Sequence, residues 1–243
     1  MVASHSLESF SRHTFALAPY VYFHLRLKAG ETVKLPTEKG FYSVFVFAAQ
    51  GGASVEFDAL SHAVHAREAV QLVHQSASVT AEGGDVELLV AGSPEAAAHA
   101  SEARHFKASE IKKVSKPWGH ELWFHAGHSQ YAFKEIFVKA GTKTSLQYHR
   151  HKQETNILFA GNAMLHYKAD PNVSIDAPSL ESMVTLPLTP VSSVDVTPFV
   201  LHRLEAVTDI LLYEVSTPFL DDVVRVSDDT ARPDGHIETE HSS

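Results

Sequence analysis

Apolar and polar residues alternate in short runs along most of this chain. VYFHLRL (21–27), YSVFVFAA (42–49), ASVEFDA (53–59), AVQLVHQ (69–75) and VELLVAG (86–92) are followed by AFKEIFVKA (132–140), TNILFAG (155–161), AMLHYKA (163–169), VDVTPFVL (194–201) and ILLYEVS (210–216). A period of two, with Gly, Pro, Asn and Asp between the runs, is the pattern of β-strands that bury one face. Strands at this density predict an all-β fold of sandwich or barrel type. One stretch departs from the pattern. Glu95 to Ile111 (EAAAHASEARHFKASEI) is rich in Ala, Glu and Lys and predicts a connecting helix in mid-chain.

The two halves repeat one another. Leu27-Lys28-Ala29-Gly30 matches Val138-Lys139-Ala140-Gly141 at an offset of 111, and VELLVAGSP, ending at Pro94, matches DILLYEVSTP, ending at Pro218, at an offset of 124. The difference, 13 residues, falls in a longer loop of the second copy, around Lys168 to Pro190. A duplicated β-barrel accounts for both matches. The expected boundaries are a first barrel over residues 1–105, a second over 106–232 and a flexible acidic tail over 233–243.

Candidate chemistry concentrates in the second copy. Around SLQYHRHKQETNILFAG (145–161), five residues separate Gly141 from Gln147, one separates Gln147 from His149, four separate His149 from Glu154 and six separate Glu154 from Gly161. Residues i and i+2 of a strand share a face, so Gln147 and His149 point the same way, and a short turn returns Glu154 on the neighbouring strand. His202, in VTPFVLHRLEA, is placed to complete a set of four. An amide oxygen, two imidazoles and a carboxylate suit a divalent ion with open coordination: zinc first, with manganese, iron, cobalt and nickel as the other candidates. His151 has three readings: a ligand in place of Gln147, a proton-transfer group at the barrel mouth, or a solvated side chain. Carried back by the two offsets, the four ligand positions fall on Pro36, Glu38, Ser43 and Ser78, so the first barrel is expected to lack the site. One ion per chain follows, and the first barrel is left to packing or oligomer formation.

Composition narrows the partners. Asp and Glu number 29 against 20 Lys and Arg, a formal charge of −9, and no basic stripe interleaved with aromatics occurs, so nucleic acid is not expected. The absence of cysteine excludes a disulfide framework, a thiolate zinc site and a cysteine nucleophile together. The opening MVASHSLESFSRH has neither a basic start nor an apolar core, and no run approaches the roughly 20 apolar residues that cross a bilayer. A soluble cytoplasmic protein is expected. Seventeen histidines are many, but His24, His62, His65, His74, His99 and His105 are scattered without ligand spacing.

The spacing from Gly141 to Gly161 resembles the first motif of the cupin superfamily, with Gln147 in the place of its first histidine. The resemblance implies two cupin-type jelly-roll barrels, a bicupin with a degenerate first copy. From about Val114 to Arg232 the chain further resembles the cupin domain of type II phosphomannose isomerases. That likeness is carried by Lys116-Pro117-Trp118-Gly119, by Phe133-Lys134, and by Ser145-Leu146-Gln147 running into His149-Arg150-His151 and Glu154. His202-Arg203-Leu204-Glu205 and Asp221-Asp222-Val223-Val224-Arg225, with Asp228 and Asp229, complete it. It implies a metal-dependent aldose–ketose isomerase, mannose-6-phosphate isomerase-like, with a Gln-x-His pair among the ligands. There are three departures. Phe199 stands where the family has glycine three residues before the final histidine, so the loop holding His202 is expected to differ. His120 stands where a small or polar residue is usual, which bears on the pocket wall. A degenerate barrel replaces the guanylyltransferase domain to which this cupin is often fused.

Aldose–ketose interconversion moves a proton between adjacent carbons while charge builds on an enediolate oxygen; a Lewis-acidic cation stabilises that charge and a base carries the proton. The catalytic candidates are Lys134, His151 and Arg203. Lys134 alternates with Ile136 and Val138, which allows an inward direction toward an oxyanion or phosphate. Arg203 matches phosphate chemically, but as the neighbour of an inward His202 it points outward unless the strand bulges. His151 and Glu135 are the candidate bases, and Trp118 is expected to pack the barrel end. Two other classes compete: a cupin dioxygenase using ferrous iron, which an amide ligand disfavours, and a non-catalytic sugar-binding cupin with a structural metal. The expected partners are a sugar or sugar phosphate and a second copy of the chain in a homodimer, without nucleic acid or membrane.

Overall fold

In the computed structural model, residues 13–14, 20–35, 43–57, 59–73, 77–93, 104–125, 128–169, 183–235 and 237 are described. They form two units, one built on Leu7–Ile111 with His125–Tyr131, the other on Lys112–Phe124 with Ala132–Ser243. The first unit contains β1 (His13–Thr14), β2 (Val21–Leu27), β3 (Thr32–Lys34), β4 (Ser43–Phe57), β5 (Leu60–Val64), β6 (Ala69–Val73), β7 (Ser78–Ser93) and β8 (Arg104–Phe106). These make one antiparallel sheet in the order β1-β2-β7-β4-β6-β8, with β3 on β7 and β5 on β4. Its core includes Phe23, Leu25, Val46, Val55, Val79 and Leu88.

The second unit contains β9 (Lys112–Lys116), β10 (Gly119–His125), β11 (Ala132–Val138), β12 (Leu146–Tyr148), β13 (Glu154–Ala160), β14 (Ala163–Ala169), β15 (Val184–Leu188), β16 (Ser193–Val196), β17 (Val200–Ala206), β18 (Ile210–Ser216) and β19 (Val224–Ser227). One sheet runs β16-β13-β18-β11-β10-β9 and the other β15-β14-β17-β12-β19, the two-sheet layout of a jelly roll. The expected helix over Glu95–Ile111 is corrected: residues 94–103 lie outside the described residues, Arg104–Phe106 is a strand, and Ala108–Glu110 is a single 3₁₀ turn. There Phe106 finds Phe45, with ring centroids 5.2 Å apart, and strand pairing with β6 prevails over the local Ala-rich propensity. No helix among the described residues is long and apolar enough to cross a membrane.

The internal repeat is written in the strand register. Val21 pairs with Gly92 in the first unit and Ala132 with Ser216 in the second, so the offsets of 111 and 124 hold across these strands. Further along they slip. The bulge at Ala48/Gln50 recurs at Leu158/Ala160, and Ala53↔Ala81 recurs as Ala163↔Ala206. The glycines after the two bulges, Gly51 (φ 77°) and Gly161 (φ 84°), share the left-handed conformation; a Cβ on either would lie 2.3 Å from the Asp85 carbonyl or 2.1 Å from that of Asp209. By register the first-unit counterparts of Glu154 and His202 are therefore Val44 and Ala77, which corrects the Ser43 and Ser78 given by the sequence offsets. Neither residue type carries a metal-binding atom. Pro36 and Glu38 lie outside the described residues.

In the second unit the inward-facing columns change character along their length. Lys134 is followed on its face by Ile136 and Val138, Asn156 by Leu158, Glu214 by Leu212 and Ile210, and His202 by Leu204 and Ala206. Register aligns these columns, because Lys134 and Asn156 both pair with Glu214, and Ile136 and Leu158 both pair with Leu212. One end of the interior is thus a close-packed apolar core and the other a polar cavity.

Candidate metal centre

His149, Glu154 and His202 meet in that cavity. Their ligand atoms lie within 4.8 Å of one another, and all three side chains are buried. His149 Nε2 is 3.5 Å from Glu154 Oε2, and His202 Nε2 is 3.2 Å from Glu154 Oε1. Local structure fixes both rings. His202 Nδ1 donates to the Val200 carbonyl at 2.9 Å, and His149 Nδ1 donates to the carbonyl of Asp222. A carbonyl only accepts, so in the neutral rings the proton sits on Nδ1 and the Nε2 lone pair is turned inward. His149 Nε2 is buried without a hydrogen-bond partner. Two imidazole lone pairs and a carboxylate converge, an arrangement that a divalent cation satisfies, and the backbone bonds behind the rings are the outer-shell support such ligands use. The group fits a metal ion. Gln147 pairs directly with His202 across β12 and β17 and lines the same cavity, beside the trio.

Asp222 organises the turn between His149 and Glu154. Besides its carbonyl bond to His149, its carboxylate accepts from the backbone N–H of His151 at 2.5 Å and of Lys152 at 2.9 Å. Those contacts aim Lys152 inward and leave His151 exposed.

Beyond the trio runs a buried row of alternating charge. Lys152 Nζ lies 2.5 Å from Glu154 Oε2 and 2.7 Å from Glu214 Oε1, the second contact lacking hydrogen-bond alignment. Lys134 Nζ lies 3.2 Å from Glu214 and 3.4 Å from Glu121, and Lys116 is 3.8 Å from Glu121. Burial alone would lower both interior lysine pKa values, but the surrounding carboxylates outweigh it: Glu121 and Glu214 raise Lys134, and Glu154 and Glu214 raise Lys152. Both stay charged. Burial raises Glu121, yet Lys134, Lys116 and the Trp123 N–H bring its carboxyl down to about 2.

Of the residues singled out from sequence, Gln147, His149, Glu154, His202 and Lys134 come together around one cavity of about 110 Å³. His151 and Arg203 are not brought to it. His151 is exposed, its ring 5.7 Å from Phe219. Arg203 points away from His202, as alternation on β17 requires; its guanidinium donates to the Thr144 carbonyl at 2.9 and 3.1 Å and pairs with Asp229. Glu135 is buried and does not line the cavity. Trp118 packs with Ile136 and Leu204 at the apolar end, as expected, and His120 stacks on Phe137 at 5.1 Å, off the pocket wall. Sequence reasoning missed Lys152, Glu214, Glu121, Arg225 and Arg232. The signal for two of them was present: Lys152 is two residues from Glu154 on one face, and Glu214 is a lone acid in the apolar run ILLYEVS.

A family model described as mannose-6-phosphate isomerase C-terminal matches residues 103–228, more than half of the 243-residue chain. The chain belongs to this family. Comparison with curated proteins found no match. Among solved structures it is similar to a single-residue mutant of Bacillus subtilis oxalate decarboxylase (TM-score 0.65, 14% identity, covering 93% of this chain and 77% of that one). It is also similar to Lactobacillus farciminis oxalate decarboxylase in a formate complex (TM-score 0.63, 12% identity, 93% and 92% covered) and to protein Ylba of E. coli (TM-score 0.61, 11% identity, 82% and 77% covered). At these identities the likeness is one of fold, a cupin jelly roll.

Membership of the mannose-6-phosphate isomerase family gives Phe199 its meaning. The residue standing in place of the expected glycine has φ 65°, the left-handed region that glycine enters without cost. Its N–H donates to the His149 carbonyl at 2.8 Å. The loop before His202 thus has the backbone conformation a glycine would supply, and a β-carbon bears the strain.

Proposed function

We propose that this chain is a metal-dependent aldose–ketose isomerase acting on a sugar phosphate through a cis-enediol. Gln147, His149, Glu154 and His202 hold the ion, zinc in the first instance. When bound, a divalent ion supplies Lewis-acid stabilisation of the negative charge that develops on the substrate's carbonyl oxygen. The protein's own groups do the rest: Glu214, the carboxylate between the two interior lysines, takes the proton from one carbon and returns it to the next. Lys134 and Lys152, kept protonated by the carboxylates between them, present ammonium donors to that oxygen and to the adjacent hydroxyl. The enclosing apolar residues Leu165, Val196 and Leu212 keep water from the intermediate. His151 and Arg203 take no part, because neither reaches the cavity.

The observation that carries the reading is the convergence of the two imidazole nitrogens on Glu154 inside a family whose described activity is sugar-phosphate isomerisation. The test is proton exchange followed by NMR in deuterated water, with aldose and ketose phosphates and with zinc, manganese, iron, cobalt and nickel supplied in turn. Interconversion with deuterium entering at the carbon next to the carbonyl supports it; substrate binding without exchange refutes it. A second reading, metal-dependent cleavage or oxygenation of a small carboxylate, is favoured by the likeness to oxalate decarboxylases, one described for its Mn(II) centres. Carbon dioxide release or oxygen consumption with manganese or iron would establish that reading instead.

A further inference from the structure

The two oxygens of Glu154 are used differently. Oε1 accepts from Asn156 Nδ2 at 3.0 Å and lies 3.2 Å from His202 Nε2. Oε2 accepts from Lys152 Nζ at 2.5 Å and lies 3.5 Å from His149 Nε2, which is buried without a hydrogen-bond partner. Because His149 Nδ1 donates to the Asp222 carbonyl, the Nε2 lone pair and the Oε2 carboxylate oxygen are two acceptors turned toward each other. A cation relieves that opposition. The Lys152 ammonium reaches Oε2 but gives the ring no hydrogen bond, so it meets half of the demand; a divalent ion on the trio meets both halves. Two cations on one carboxylate oxygen repel each other strongly where water is excluded. Ion and ammonium therefore compete for Oε2.

The ammonium has a second acceptor within reach. Glu214 Oε1 lies 2.7 Å from Lys152 Nζ and is buried without an aligned hydrogen bond. The backbone at Lys152 is fixed, since its N–H and that of His151 both donate to the Asp222 carboxylate. Beyond the backbone, a lysine ends in a compact ammonium with three rotatable donors on a flexible four-carbon stem. Turning it from Glu154 onto Glu214 needs no movement of the main chain. Glu154 and Glu214 share this one ammonium, and removing it would leave two buried carboxylates side by side.

We propose that Lys152 is the resident counter-ion of the metal centre: it competes with the divalent ion for Glu154 Oε2, yields that oxygen as the ion enters, turns onto Glu214 Oε1, and so sets how tightly the ion is held. Lys152 acts here as a positioning residue. The inference rests on the metal-binding part of the reading above and on no step of the reaction.

Zinc affinity reads this exchange without turnover. In competition with a chromophoric chelator, the full chain carrying Lys152→Met should bind zinc at least tenfold more tightly than wild type, with one ion per chain in both. A lysine that only supports the fold gives the opposite sign, so unchanged or weaker affinity in the folded variant overturns the proposal. Should Lys152→Met fail to fold, the wild-type chain still decides. A crystal structure with zinc on the trio should show Lys152 Nζ hydrogen-bonded to Glu214 Oε1 and out of reach of Glu154 Oε2; an ammonium still on Glu154 beside bound zinc overturns the exchange. Zinc uptake by wild type with no change in Lys152→Met keeps the metal centre and removes the competition, whereas no zinc uptake by either chain removes both.

Discussion

Lys152 and Glu154 leave one face of the chain two residues apart and meet at 2.5 Å in the interior, 4% and 3% exposed. The pair holds a cation beside the carboxylate of the candidate metal centre, with Glu214 on the other side of the ammonium at 2.7 Å. Lys152→Met leaves two buried carboxylates short of a counter-charge. Breaking a buried pair in this way costs about 3–5 kcal/mol. Urea unfolding of the chelator-treated variant should show that loss, and saturating zinc should recover part of it by restoring positive charge at Glu154.

The metal trio predicts a stoichiometry. Zinc-loaded protein should carry one ion per chain; His202→Ala should lower occupancy below one tenth, and Gln147→Ala should weaken binding without abolishing it, since the trio remains. Removing the ion should lower the melting temperature, because a ligand present at a hundred times its Kd stabilises the folded state by about 2.7 kcal/mol. Metal analysis after dialysis, with a thermal scan on either side of chelation, checks both statements.

How much of this was legible in sequence depends on the range of the interaction. The strands were legible because alternation is local, and so was the grouping of His149, Glu154 and His202, because motif spacing encodes which residues share a face. The repeat was legible too, but its register was misplaced by one residue at Glu154 and His202, since two-residue bulges and unequal turns shift pairing without leaving a mark in residue type. The row from Glu154 through Lys152, Glu214, Lys134 and Glu121 was not legible. It is assembled from strands distant in sequence, so although Glu154 and Lys134 could be picked out singly, their alternation with Lys152, Glu214 and Glu121 leaves no local pattern. The hold of Arg225 on the segment after β19 escaped for a related reason: Arg225 captures the Gly235 carbonyl, and backbone carbonyls have no sequence signature.

Phe199 offers a gain in stability. Left-handed backbone costs a residue with a β-carbon about 1–2 kcal/mol, and glycine pays back about 0.5–1 kcal/mol of that through its greater freedom when unfolded. Phe199→Gly should therefore stabilise the chain by up to about 1 kcal/mol, with zinc stoichiometry unchanged because the N–H bond to the His149 carbonyl is kept. The side chain is 43% exposed, so more than half of it is covered, and the burial lost with it works against that gain. A destabilised variant in denaturant titration would show that its ring contact with Tyr148, centroids 6.4 Å apart, outweighs the strain.

Asp228 predicts an acid-sensitive turn after β19. Burial alone would raise its carboxyl, but hydrogen bonds from Arg232, Thr230 and Ser145 hold it far below the ordinary carboxylate value. Because the folded value lies below the unfolded one, about 3.9, the stabilisation is fully present above that pH and is lost as pH falls toward the folded value. The unfolded chain takes up the proton first, so stability should fall below about pH 4 with a slope approaching 1.4 kcal/mol per pH unit from this group. Asp228→Asn removes the titration. Chelator-treated wild type and variant should thus differ most in unfolding free energy near pH 7 and converge toward pH 3; a constant difference across that range would show that Asp228 is not the group whose charge holds Arg232 in place.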